Sequence, residues 1–275
     1  MSNHEAWPDA PTAPDNGEWE VTLWDITDSG VLAITLNRPE RLNALSFRLL
    51  YELQALIDFA AARPDIRVVT LRGSGTQAFC SGDDLYGMEP TTSIDSSITV
   101  HHPFILSLRA LKKPVIALVT GWALGHGWEL ACACDIRLCA DNLEVGDHRA
   151  QRAIGMNGGT TWFAPRIIGR GRALELLMTG RHMFADEALL SGWANRVWPL
   201  EDFDREAADY IDQLTRLPTL NLSAFKEMID YSAEHSLRDS LAHEVEVADR
   251  YRFSEDAREG RRAWREKRPS VFRGY

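Results

Sequence analysis

Three glycines punctuate the segment from Gly121 to Glu129, GWALGHGWE, where a short apolar strand is expected to lead directly into a helix. The buried-strand pattern of Val115 to Val119 precedes this segment, and a helical pattern resumes from Glu129 to Cys134. The first amides of a helix have no intrahelical acceptor, and they lie at the positive end of the helix dipole. The segment therefore predicts outward-facing amides near His126.

The same order of strand and helix recurs along the first two thirds of the chain. Apolar residues at helical spacing run from Ser46 to Ala62, with Ser46 as N-cap, and strand-like stretches lie on either side at 31–36 and 68–72. Such alternation predicts a mostly parallel sheet with helices against it. Beyond Gly158 only helical patterns are strong. We therefore expect a flexible N-terminal tail at 1–18, an α/β core at 19–200 and a helical C-terminal region at 201–275.

Composition excludes several classes of protein. The formal net charge of −10 has the wrong sign for broad binding to nucleic acid or anionic lipid, and no apolar run approaches the roughly 18 residues of a membrane span. The four cysteines form no Cys-x-x-Cys pair and are expected to be reduced core thiols. We therefore expect a cytoplasmic protein with no metal site and with neither nucleic acid nor a membrane as partner.

A second glycine turn follows another predicted strand, in the segment Phe79-Cys80-Ser81-Gly82-Asp83-Asp84-Leu85. Glycine at position 82 permits a backbone turn that other residues disfavour, and such a turn can leave the amide of Asp83 able to donate outward. Two amides aimed at one point form an oxyanion hole, which stabilises negative charge on a carbonyl oxygen. The amides of Asp83 and His126 are the candidate pair.

Seven segments, in their order and spacing, resemble those of the enoyl-CoA hydratase/isomerase, or crotonase, superfamily. They are Asn37 to Pro39, Arg41 to Leu45, Phe79 to Asp84, Lys113 to Ala117, Gly121 to Glu129, Cys134 to Arg137 and Gly158 to Thr160. The resemblance implies a crotonase-like ββα spiral core with a helical C-terminal trimerisation region, assembled as a homotrimer or a dimer of trimers. It also implies an acyl-CoA substrate whose thioester enolate is held by the two candidate amides. CoA would be part of the substrate, and no further cofactor is expected.

The resemblance also assigns acid and base groups. Glu129 matches the first of the two glutamates with which hydratases of the superfamily act on water, and it lies one helical turn beyond His126. When Gly158 to Thr160 anchors the comparison, His148 stands where the second glutamate is expected. Histidine is a competent general base, and Asp147 is a candidate to orient it. The expected reaction is the hydration of an enoyl-CoA, and double-bond isomerisation, which needs only one base, stays close behind.

Two histidines leave another reaction open. The carbon–carbon bond hydrolases of the superfamily, such as 6-oxocamphor hydrolase, carry a histidine in the oxyanion segment, another in the following loop and an acid nine residues later. His126 and His148 match the two histidines, and Asn157 stands where the acid is expected. A hydrolase that cleaves a carbon–carbon bond of a β-diketone or a β-keto thioester is therefore an alternative. A non-catalytic binding subunit with the crotonase fold is another.

The remaining site predictions concern substrate binding and follow from the resemblance. Arg41 offers charge to a CoA phosphate, in a strip that lies along pantetheine and adenine in this superfamily. Lys267 lies in a C-terminal stretch that looks like the helix supplying basic groups to the nucleotide end. The residues expected to contact substrate or CoA are Arg41, Leu42, Ala44, Ser81, Asp84, Leu85, Gly125 and Lys267.

Overall fold

The computed structural model describes residues 19–84 and 102–274, and these residues form two β-sheets with helices packed against them. The strands are β1 (Thr22–Ile26), β2 (Val31–Leu36), β3 (Val68–Gly73), β4 (Ala78–Cys80), β5 (Val115–Val119), β6 (Trp122–Leu124), β7 (Ile136–Ala140), β8 (Glu144–Gly146), β9 (Met183–Phe184) and β10 (Arg196–Trp198). The predicted α/β class is confirmed. The predicted tail at 1–18 lies outside the described residues.

Ten α-helices and two short 3₁₀ helices are present in the described ranges. The α-helices are α1 (Phe47–Ala62), α2 (His102–Ala110), α3 (His126–Ala133), α4 (Thr160–Ile168), α5 (Arg170–Thr179), α6 (Ala185–Leu190), α7 (Leu200–Thr215), α8 (Thr219–Ser232), α9 (Leu237–Tyr251) and α10 (Glu255–Glu266). The 3₁₀ helices are Pro39–Arg41 and Ala150–Arg152. The predicted helical C-terminal region is therefore present, as α7 to α10.

The larger sheet has the strand order β1-β2-β3-β5-β7-β10, and every neighbouring pair except β1 with β2 is parallel. All five residues of β5 are buried, as expected for a central strand covered on both faces. Helix α1 follows β2 in the chain, and the hydroxyl of Ser46 caps it by accepting a hydrogen bond from the amide of Leu49. Its apolar stripe, which includes Leu53 and Leu56, is buried in the core that β2 and β3 also enter.

The smaller sheet positions the segments that carry the site predictions. Its strand order is β4-β6-β8-β9, and β4, β6 and β8 run parallel to one another. Parallel neighbours end at the same edge of a sheet, so the residues that follow these three strands meet there. They are 81–84 after β4, 125–129 after β6 and 147–149 after β8.

Two local differences from the sequence-based expectation have clear causes. Helix α3 begins at His126, three residues before Glu129, because the turn into the helix is made by Gly125 at φ 53° and ψ −120°. Strands β9 and β10 occur beyond Gly158, where only helices were expected. With two and three residues, these strands are too short for an alternating pattern to predict them.

All four cysteines are buried and unbridged, in agreement with the predicted reduced core thiols. Burial raises the pKa of Cys80 and Cys139 to about 12 and that of Cys132 to about 11. Such thiols hold no thiolate at neutral pH and are therefore unreactive. Within the described ranges, no helix has the length and apolar character needed to cross a membrane.

Helix α3 packs against β4 at a contact that only glycine fits. A Cβ atom added to Gly127 would overlap the carbonyl oxygen of Cys80. We expect Gly127→Ala to lower the thermal unfolding midpoint markedly, since overpacking of this kind costs about 1–3 kcal/mol. The matched control is Gly171→Ala in α5, where an added Cβ meets nothing within 4 Å and helix propensity favours alanine. Equal midpoints for the two variants, measured by circular dichroism, would contradict the contact.

Candidate active site

Two glycine turns bring the candidate oxyanion segments into contact. Gly82 has φ +107° and Gly125 has φ +53°, both in the region that favours glycine. A Cβ atom added to Gly125 would lie 3.9 Å from the Cα of Gly82, and one added to Gly82 would lie 3.7 Å from the amide nitrogen of His126. The loops that carry the Asp83 and His126 amides are therefore adjacent. That these amides hold a substrate oxygen stays a prediction.

Residues 42–45 fix the position of the loop after β4. The amide of Ser81 donates to the carbonyl of Leu42 at 3.1 Å, and the amide of Leu45 donates to the carbonyl of Gly82 at 2.8 Å. The amide of Asp84 donates in turn to the carbonyl of Leu45 at 2.9 Å. The predicted CoA strip and the predicted oxyanion loop thus form one hydrogen-bonded unit.

The predicted substrate-binding residues are distributed around this unit. Asp84 is buried and forms an ion pair of 2.6 Å with Arg38, whose other guanidinium nitrogen donates to the carbonyl of Ala44, so the Asp84 carboxylate secures the loop. Arg41 is exposed, and its carbonyl accepts a hydrogen bond from the Ser81 hydroxyl. Lys267 is exposed at the C-terminal cap of α10. Leu85 lies outside the described residues.

Glu129 is the centre of the site and is fully buried. Its Oε1 accepts hydrogen bonds from Arg149 Nη2 at 2.7 Å, from the Thr160 hydroxyl at 2.5 Å and from the Thr160 amide at 3.3 Å. Its Oε2 forms an ion pair of 3.0 Å with Nε2 of His126. A Cβ atom on Gly158 would overlap Oε2, so glycine is required where the α4 loop crosses the carboxylate. Hydrogen bonds therefore hold Oε1, whereas Oε2 makes none within the described residues and faces the His126 ring.

Arg149 is a site residue that the sequence reasoning missed. Its guanidinium lies between Glu129 and Asp147, with a hydrogen bond of 2.9 Å from Nε to Asp147 Oδ2. Burial opposes the charge of Arg149, but the hydrogen bonds that it donates to Asp147 and the charge of Glu129 outweigh burial and raise its pKa above the already high ordinary value. Arg149 is therefore a permanent cation. The sequence offered one sign of this role, because Arg149 directly follows His148. One residue more or less in the loop before Gly158 would move the expected position of the second glutamate from His148 to Arg149.

The side chain of His148 contacts His182. Its Nε2 is 2.8 Å from Nε2 of His182, and Nδ1 of His182 is 2.8 Å from a carboxylate oxygen of Glu144. Burial and the neighbouring His182 lower the pKa of His148. The carboxylate of Asp147, the candidate to orient His148, accepts hydrogen bonds from Arg149. A catalytic role for His148 stays a prediction that rests on the resemblance.

Asn157 is half-buried, two positions before the second glycine of the pair Gly158-Gly159. Its predicted role, as the counterpart of an acid, likewise stays a prediction. Within residues 19–84 and 102–274, no cluster of three or more histidine, cysteine, aspartate or glutamate side chains could hold a metal ion.

His126 connects the two glycine loops through its side chain. Its Nδ1 lies 2.5 Å from Oδ1 of Asp83, and its Nε2 faces Glu129. Burial by itself lowers the pKa of His126. The hydrogen bond with Asp83 and the negative charge of Glu129 raise this pKa by more than burial lowers it, so the net shift is upward. The site is therefore a row of side chains, from Asp83 through His126, Glu129 and Arg149 to Asp147, in which carboxylates alternate with a histidine and an arginine.

A cavity of about 880 Å³ lies behind the glycine pair of α4. Gly158, whose backbone contacts the Glu129 carboxylate, is part of its wall. The wall also includes aromatic side chains, among them Trp162, Phe163 and Tyr231. Charged side chains, including Arg109 and Lys226, also line the wall, so the cavity beside Gly158 is only partly apolar.

Comparison with known proteins agrees with this architecture. The model of the enoyl-CoA hydratase/isomerase family matches residues 27–275. The chain is 30% identical over 248 residues to the (E)-benzylidenesuccinyl-CoA hydratase of Thauera aromatica, covering 89% of this chain and 96% of that protein. It is 32% identical over 253 residues to the carnitinyl-CoA dehydratase of Proteus mirabilis, covering 90% of this chain and 97% of the relative. The crystal structure of an enoyl-CoA hydratase from Bacillus anthracis superposes with a TM-score of 0.89 at 32% identity, covering 93% of this chain and all of that chain.

The contact between Gly158 and Glu129 leads to a direct test. Gly158→Ala should either displace the carboxylate or destabilise the α4 loop, and we expect a lower unfolding midpoint with a cost of about 1–3 kcal/mol. Gly155→Ala is the control in the same loop, since an added Cβ there meets nothing within 4 Å. Thermal unfolding of both variants decides the point. A Gly158→Ala midpoint that matches the Gly155→Ala midpoint would mean that the loop does not pack on Glu129.

Proposed function

This chain belongs to the enoyl-CoA hydratase/isomerase family, and on that premise we propose that it hydrates or isomerises an enoyl-CoA through a thioester enolate. The observation that carries the proposal is the buried carboxylate of Glu129, placed one helical turn from the His126 amide, which itself lies beside the Gly82 turn. A positioned carboxylate next to two candidate oxyanion donors has the groups that enolate chemistry needs.

In the proposed reaction, the amides of Asp83 and His126 hold the thioester oxygen. Glu129 takes a proton from water as the water oxygen bonds to the β-carbon. The electrons of the carbon–carbon double bond then move towards the thioester oxygen and give the enolate. The protonated Glu129 then gives this proton to the α-carbon of the enolate and returns to its ionised form. Coenzyme A enters only as part of the substrate, and no further cofactor is needed.

The surroundings of Glu129 give isomerisation equal standing with hydration. Arg149, a permanent cation, lies between the carboxylates of Glu129 and Asp147, so this neighbour of the base neither takes up nor releases a proton. Isomerisation needs one base that removes a proton at one carbon and returns it at another. Hydration with His148 as the second acid or base would require His148 to act while hydrogen-bonded to His182.

The cavity behind Gly158 supports a large acyl group as substrate. Its aromatic wall suits an aryl or other bulky apolar acyl chain, and one relative at 30% identity is named for an aryl-bearing CoA thioester, (E)-benzylidenesuccinyl-CoA. We place the acyl end in this cavity. The CoA moiety would then lie along Arg41, Leu42, Ala44 and Ser81, with Lys267 near the nucleotide.

Assembly into a homotrimer or a dimer of trimers is supported by an exposed apolar stripe. Leu237, Leu241 and Val245 follow one another at intervals of one helical turn on α9, and all three are exposed. Phe225 and Ile229 form a similar exposed pair on α8. Such contiguous apolar surfaces are typical of protein interfaces.

The test of the proposed function uses CoA thioesters as probes. CoA should raise the melting temperature, by mass action on the folded state. The purified protein should convert but-2-enoyl-CoA to its 3-hydroxy product or but-3-enoyl-CoA to the conjugated isomer, followed by absorbance of the conjugated thioester. A cinnamoyl-CoA probe should be handled at least as well as the short substrate if the cavity takes the acyl group. A melting temperature unmoved by CoA, with no conversion of any of these thioesters, would overturn the proposal.

Glu129→Gln should abolish most of this turnover, by about a hundredfold or more, because the amide cannot exchange a proton with water or substrate. The matched control is Glu201→Gln, an exposed position in the first turn of α7. Circular dichroism establishes that both variants fold. Near-wild-type turnover by a folded Glu129→Gln variant would show that Glu129 is not the base.

A further inference from the structure

The imidazole of His126 is placed between two carboxylates. Its Nδ1 is 2.5 Å from Asp83 Oδ1 and its Nε2 is 3.0 Å from Glu129 Oε2. The Asp83 pair meets hydrogen-bond geometry, whereas Nε2 and Oε2 of Glu129 lie within ion-pair distance and make no hydrogen bond with each other. Both ring nitrogens therefore face negatively charged oxygen atoms.

A proton count follows from this placement. A neutral imidazole carries one N–H, so one of its nitrogens would direct a lone pair at a carboxylate oxygen. The hydrogen bond to Asp83 accounts for one proton. At Nε2, the 3.0 Å approach to Oε2 of Glu129 is electrostatically favourable only when the ring is an imidazolium ion.

From this geometry we propose that Asp83 and His126 form an imidazolium–carboxylate pair that orients the carboxylate of Glu129, with His126 as a positioning residue for the base. The inference rests on the proposed function of Glu129. It assigns the side chains of Asp83 and His126 a role separate from the oxyanion role of their amides.

His126 is the titratable group in this arrangement. The charged groups that face it are Asp83 from the loop after β4, Glu129 from its own helix and Arg149 from the loop after β8. Arg149 stays charged throughout the accessible pH range, so it cannot act as a switch. Among these groups, exposure falls from the Asp83 side chain at 22% to His126 at 4% and Glu129 at 0%. Protons from solvent would therefore reach His126 by way of Asp83.

The direction of the pH dependence follows from the raised pKa of His126. The imidazolium is present below that pKa and is lost as the pH rises through it. Turnover should consequently fall on the alkaline side as His126 loses its proton. The ion pair between His126 and Asp83, which stabilises the folded state, is lost over the same pH interval. Replacing the Asp83 carboxylate by an amide removes one source of the upward shift, so this alkaline fall should begin at a lower pH.

The experiment compares Asp83→Asn with Asp58→Asn, a matched control at an exposed position of α1. Both candidate oxyanion donors are main-chain amides, so neither substitution removes one. The first readout is the nitrogen-15 NMR signal of the His126 ring, which needs no substrate. We expect two protonated ring nitrogens at pH 7 in the wild type, and a midpoint that falls by about one pH unit or more in Asp83→Asn.

The second readout is the pH dependence of kcat with an enoyl-CoA. The alkaline limb should move to lower pH in Asp83→Asn and stay in place in Asp58→Asn, with KM little changed. His126→Gln should lower kcat and remove this limb, because glutamine cannot gain or lose a proton in this range. A purely structural role would lower stability without moving the limb.

The outcomes separate the two proposals. A neutral His126 ring at pH 7, or equal midpoints in the two aspartate variants, would overturn the imidazolium pair and leave the enoyl-CoA activity standing. Turnover that keeps the wild-type pH profile in His126→Gln would do the same. A doubly protonated ring in a protein that converts no enoyl-CoA would overturn the proposed function, and with it the role of His126 in catalysis.

Discussion

The burial of the Glu129 carboxylate is the constraint on which the rest of the site depends. An ionised carboxylate without partners is very costly to remove from water, so a fully buried one must be surrounded by donors and cations. Arg149 and Thr160 bind one of its oxygens and His126 faces the other. Each of these partners comes from a different position along the chain, and the fold must bring them together for the carboxylate to remain charged.

The smaller sheet meets this requirement through the common direction of β4, β6 and β8. Their ends deliver Asp83, His126 and Arg149 to one edge, and the α4 loop adds Thr160. Glycines then allow the backbones to approach closely, as at Gly158, where any side chain would displace the carboxylate. The glycine at position 158 is thus required by packing against a charged group.

The row of charges from Asp83 to Asp147 has consequences for reactivity. Arg149 contributes a charge that does not change with pH, and His126 contributes one that does. Arg149 donates to Oε1 of the proposed base, and His126 faces its Oε2. A change at the partly exposed Asp83 would reach this carboxylate through His126.

The sequence by itself determined the α/β class, the helical C-terminal region, the buried cysteines and the segments in which Glu129, Asp83 and His126 lie. These depend on local patterns, apolar periodicity and glycine turns, which act over a few residues. Only the tertiary structure decided that Arg149 contacts Glu129, that His148 pairs with His182 and that Asp84 holds Arg38. Those pairings join residues 20, 34 and 46 positions apart, and they depend on loop length and strand order, which no local pattern encodes.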